Sequence, residues 1–112
     1  MQLSSTDHGD VRCVTLPVEA LDAANTLAFK QAVGPLILDA RRLVIDLGNV
    51  RFVDSSGCGV LLWCLRQARE NGGDLKLIGV NPRVSELFRI IRLDRQMDSF
   101  ETLAEAAAAF DP

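Results

Sequence analysis

Strands alternating with amphipathic helices predict an α/β sandwich with a largely parallel sheet for this chain. Two short apolar runs carry most of that inference. "RRLVIDL" (Arg41–Leu47) is β-branched in part and suits a strand buried on both faces, and "DLKLIGV" (Asp74–Val80) reads as the next strand. Between them, "GVLLWCLRQAREN" has helical periodicity and runs into Asn71-Gly72-Gly73, a strong stop signal. The architecture expected is a mixed, mostly parallel sheet of four to five strands packed with about four helices.

The remaining elements follow in order. "RCVTLPV" (Arg12–Val18) comes after the turn signal "DHGD" and reads as a strand, paired in a hairpin with residues near Leu3. Leu21-Asp22 then opens a helix through "AANTLAFKQAV", with Asp22 as cap for the first N–H groups. Gly34-Pro35 breaks or kinks that helix, because proline lacks a donor and clashes with the preceding turn. "NPRVSELFRII" starts a helix with Asn81 as cap and Pro82 in the first turn. A short strand near "QMDSF" is expected next. "TLAEAAAAF" closes as a helix, with Thr102 and Glu105 at capping-box spacing.

The chain has 112 residues, 48% of them hydrophobic, which suits one domain spanning residues 1–112. It shows no internal repeat, low-complexity tract or long linker. A net charge of −3 argues against direct nucleic-acid binding, which demands a concentrated basic surface. Arg83, Arg89, Arg92 and Arg95 are interspersed with acids and read as a solvated helix face. The apolar runs are too short for a membrane span, and "MQLSSTDHGD" lacks a signal-peptide core. With three cysteines, an odd number, these features point to a reducing cytoplasm. Cys13 and Cys64 suit small buried hydrophobes. There is no CxxC, and the only histidine is His8, so neither a metal nor another cofactor is expected.

One stretch carries more than fold. "RFVDSSGCGVLLW" (Arg51–Trp63) sets two adjacent hydroxyls, Ser55 and Ser56, in a loop where the following helix exposes its unpaired N–H groups. Gly57 and Gly59 let another molecule approach. Val60, Leu61, Leu62, Cys64, Leu65 and Ala68 form one broad apolar helix face at about 100° per residue. Trp63 falls on the opposite, polar face, nearly in line with Ser56 about two turns earlier. It is either an interface anchor or covered by the last helix or by the segment after Gly34.

The order strand, "LDAAN", helix, "LVIDLGNVRFVDSSGCGVL", helix, "GGDLKLIGV", "NPRVSELFRIIRLD" resembles the STAS domain of bacterial anti-anti-sigma factors (anti-sigma factor antagonists). The likeness runs from about Asp10 to Phe110, and its most specific element is Asp54-Ser55-Ser56-Gly57 after the Asp46-Leu47 strand end. Two departures stand out. Cys58 replaces a usual aliphatic residue, and "PVEALDAAN" lacks the glycine common two residues before Leu-Asp.

The resemblance implies a partner-switching regulator. A GHKL-type Ser/Thr kinase that is itself an anti-sigma factor would phosphorylate Ser56; the unphosphorylated protein would bind that kinase, and a PPM-type phosphatase would restore binding. Asp54, Ser55, Ser56, Gly57, Gly59 and Trp63 are the expected partner-facing set. Asp22 joins them or is a helix cap alone, and Asp46 is read as structural. A phosphate at the helix start is favoured by about 0.3–2 kcal/mol. Repulsion from Asp54 at roughly 6 Å costs about 1 kcal/mol in water and several times more at an effective dielectric near 20, comparable with that gain, so the fold is expected to tolerate the charge. The alternative is a non-switching STAS subunit of a lipid-transport or larger signalling complex. Enzymatic use of Ser56 or Cys58 is not expected, since His8 is the sole histidine and "DSSGCG" is not a G-x-S-x-G elbow.

Overall fold

The computed structural model describes residues 1–111. A hairpin opens the chain: β1 (Ser4–His8) pairs antiparallel with β2 (Val11–Thr15) through a turn at Gly9, which takes a φ of 63°. β4 (Arg42–Asp46), β6 (Asp74–Ile78) and β7 (Ser99–Phe100) add in parallel, giving the order β1-β2-β4-β6-β7. This is the five-stranded, mostly parallel sheet expected. β3 (Ala20–Leu21) and β5 (Phe52–Val53) form a separate two-stranded parallel ribbon. Each of its strands ends shortly before a long helix.

Alternation along the strands divides the core into two layers. Val14, Leu43, Ile45, Leu75 and Leu77 face α1 (Thr26–Leu38), α2 (Ser55–Glu70) and α3 (Pro82–Ile90). Val11, Cys13, Val44 and Ile78 face α4 (Leu103–Ala108) together with Ala106 and Phe110. Lys76 points into this second layer. It is buried, with its ammonium 3.3 Å from Asp98 and near the rings of Phe100 and Phe110. At the opening end of the parallel strands, Arg42 pairs with Asp10 at 3.2 Å and donates to the Asp111 carbonyl at 2.6 Å.

Helix α1 differs from expectation at its start, and of the two outcomes expected at Gly34-Pro35, a break or a kink, the break does not occur. Asp22 does not cap it. The helix starts at Thr26, and the Asp22 carboxylate instead accepts from the Ala24 N–H, holding the turn before the helix. Pro35 does not break it either. Phe29, Val33 and Ile37, spaced by four, stay buried across the proline and carry the helix to Leu38. Two side chains supply donors at its end: Arg12 donates to the Leu36 carbonyl at 3.0 Å, and Asn71 to the Leu38 carbonyl at 2.8 Å.

The other caps follow the sequence. Asn81 accepts from the Val84 N–H at 2.8 Å, and Thr102 accepts from the Glu105 N–H at 3.1 Å. The strands of the five-stranded sheet begin and end within a few residues of expectation, β2 stopping at Thr15 rather than Val18 and β7 beginning at Ser99 rather than Gln96, whereas β3 and β5 were not expected.

Candidate functional site

Helix α2 begins earlier than the sequence reading placed it. Ser55 and Ser56 are not in a loop; they are the first two residues of the helix, and both are exposed. The cap is Asp54, whose backbone is extended and whose Oδ1 accepts from the Gly57 N–H at 2.9 Å. Its second oxygen, Oδ2, accepts from the Ala23 N–H at 3.2 Å. One carboxylate thereby joins the start of α2 to the turn that precedes α1.

That turn is held from within. The Asp22 N–H donates to Asn25 Oδ1 at 3.0 Å, and Asn25 Nδ2 donates to the Ala20 carbonyl at 2.7 Å. The Asp22 carbonyl accepts from the N–H groups of Asn25 and Thr26. Asp22 is half-buried and organises the turn that Asp54 ties to the start of α2. Asp46 behaves as expected of a structural residue: its carboxylate accepts from the Gly48 N–H at 2.8 Å.

The two glycines of the motif do different work. Gly59 is exposed, and a Cβ placed there would touch nothing within 4 Å. Gly57 is buried. A Cβ there would lie 2.2 Å from the Leu21 carbonyl oxygen and 2.7 Å from Val53 Cγ1. The expectation that both glycines open the surface is corrected for Gly57, which lets α2 pack onto the β3–β5 ribbon.

Trp63 is half-buried, with one edge against α1: a Cβ on Gly34 would sit 4.0 Å from Trp63 Cη2. The Lys30 ammonium lies over the ring, 4.7 Å from its centroid. Gly34 therefore covers part of the indole, while α4 is on the other side of the sheet. The remaining ring surface opens on a shallow cleft of about 250 Å³ that it shares with Ser56, Gly59, Thr26, Leu27 and Lys30.

The α1 residues of this cleft were not anticipated. Leu27 is 67% exposed; outside the cleft lining, Phe52 of β5, two residues before Asp54, is 52% exposed. With Phe29, Val33 and Ile37 buried, positions 27, 30 and 34 turn elsewhere, a signal legible in the helical period itself.

Cys58 and Cys64 are both buried. Burial, then the Asp54 charge, raises the Cys58 thiol, and burial pushes Cys64 up to about 12. A thiol held protonated is a poor nucleophile. Among the described residues, no cluster of three or more His, Cys, Asp or Glu side chains could hold a metal. No helix among them is long and apolar enough to cross a membrane.

Comparison with known proteins gives a STAS domain match over residues 2–106. The chain belongs to the STAS domain family. The anti-sigma-B factor antagonist of Staphylococcus aureus is 30% identical over 74 residues, covering 65% of this chain and 68% of that protein. The crystal structure of an anti-sigma factor antagonist from Mycobacterium paratuberculosis superposes with a TM-score of 0.84 at 25% identity, over 97% of this STAS chain and 92% of the other. TM1081 of Thermotoga maritima likewise gives 0.84 at 25% identity, over 96% and 93%. The curated and structural relatives of this STAS domain include several anti-sigma factor antagonists.

Proposed function

We propose that this STAS domain, residues 1–112, is a partner-switching anti-sigma factor antagonist of the cytoplasm, controlled by phosphate on Ser56. The observation that carries the reading is the placement of Ser56. Its hydroxyl is exposed on the first turn of α2, beside a half-buried tryptophan and on a turn fixed by Asp54 and Gly57. A kinase can reach that oxygen without unfolding anything.

In this scheme the unmodified face, with Ser55, Ser56, Gly59 and Trp63 at its centre and Asp22 and Asp54 behind it, docks on an anti-sigma factor. That partner is a GHKL-type Ser/Thr kinase, which supplies the ATP and magnesium and transfers the γ-phosphoryl group to Ser56 Oγ. The dianion is then set against a surface that cannot desolvate it cheaply, and the complex separates. A PPM-type phosphatase removes the phosphate and restores binding. The kinship with anti-sigma factor antagonists supports this choice of partner.

The test is incubation with the candidate kinase and Mg-ATP, followed by site-resolved mass spectrometry. Phosphate is expected on Ser56; Ser56→Ala should block modification and keep binding, and Ser56→Asp should weaken binding. Phosphate on Ser55 would overturn the assignment. Absence of any phosphate would favour a non-switching subunit.

A further inference from the structure

Helices α1 and α2 run side by side in the same direction. Thr26 and Leu27, in the first turn of α1, share the cleft with Ser56 in the first turn of α2, and two turns on Gly34 meets Trp63. Lys30 lies midway, level with Gly59 and Val60. It is the only cation lining this cleft. Among the described residues, no carboxylate lies within ion-pair distance of it. Its ammonium rests on the indole face instead.

From this geometry we propose that Lys30 receives the phosphate of modified Ser56. The inference rests on Ser56 being the acceptor, as proposed above. Ser56 and Val60 are one turn apart, about 6 Å along the helix. The flexible four-carbon stem of a lysine can swing its ammonium over that interval. A charge-assisted hydrogen bond to a dianion is stronger than a partly solvated contact with an aromatic ring. The ammonium therefore leaves Trp63 and pairs with the phosphate. Modification then changes two features of the docking face together: a dianion appears at Ser56, and the indole loses its cation.

The partner-free test installs phosphoserine at position 56 during translation, so that no kinase is needed. The second ionisation of that phosphate is followed by phosphorus NMR in the Lys30 protein and in Lys30→Met, which keeps the stem and removes the charge. Asp54 and Asp22, the nearby acids, are the same in both proteins. The pKa is expected to be lower with Lys30 by about half a unit or more. Trp63 is the only tryptophan, so its emission reports the departure of the ammonium. It should change on phosphorylation in the Lys30 protein and stay constant in Lys30→Met. Equal pKa values in the two folded proteins would overturn the proposal. Because the phosphate is installed directly, failure of a cellular kinase to modify Ser56 would count against the switch alone.

Discussion

The Asp54 carboxylate accepts a hydrogen bond from the Ala23 N–H at 3.2 Å while its other oxygen caps α2. A residue that caps one helix and ties down the approach to another has two separable contributions. Asp54→Ala is expected to lower stability by about 1–2 kcal/mol. Asp54→Asn keeps one acceptor for the cap and should lose less. Urea denaturation of both variants checks this, and equal losses would show that the carboxamide cannot serve as the cap.

Gly57 and Gly59, two positions apart, should respond in opposite directions. Gly57→Ala drives a methyl into the Leu21 carbonyl and Val53, and is expected to cost about 2–3 kcal/mol. Gly59→Ala enters open space within a helix and should gain about 0.5–1 kcal/mol. Thermal melts of the pair decide the matter. A neutral Gly57→Ala would mean that the start of α2 shifts freely on the ribbon.

Trp63→Ala should affect folding and binding together, because the ring is half-buried and also borders the cleft. A loss of about 1–2 kcal/mol in stability and about 2 kcal/mol in affinity for the proposed anti-sigma partner is expected. Gly34→Ala makes only an ordinary contact with the indole and should be stabilising by up to about 1 kcal/mol. Undiminished affinity in Trp63→Ala, measured by calorimetry on the folded fraction, would confine the tryptophan to the core.

Thiol chemistry offers a further check. Cys13, Cys58 and Cys64 are buried, and burial raises the pKa of each. Less thiolate is present in the folded chain at pH 8 than in the unfolded one, where ordinary values apply. A disulfide reagent at pH 8 should therefore leave all three unmodified until denaturant is added. Prompt labelling of Cys58 in the native protein would reveal opening at the first turn of α2.

Much of this fold was legible because its long elements carry clear periods. α2 and the two buried strands were anticipated from apolar spacing, and Asn81-Pro82 and Thr102-x-x-Glu105 marked their helices through capping chemistry. The two-residue strands β3 and β5 are too short to show alternation, and β1, exposed throughout, has no buried face to pattern it. The start of α1 was misplaced because "LDAANT" contains three residues able to cap or to turn. Asp22 closes the turn and the helix waits for Thr26. The close approach of Gly57 to Leu21 is a tertiary fact that no local spacing encodes. Lys30 was overlooked for a related reason: its meaning comes from Trp63 and Ser56 on another helix.

The contact between Arg42 and the Asp111 carbonyl has a practical consequence. It anchors the chain at the opening ends of β4 and β6, whereas Ser56 stands at the far end of α2, the helix that returns through Gly72-Gly73 to the opening of β6. Five strand residues, about 16 Å, separate the two poles of the sheet. A bead, sensor chip or fused module attached beyond Asp111 would thus hold the domain from behind and leave the serine pair pointing outward, ready for capture by a partner in solution.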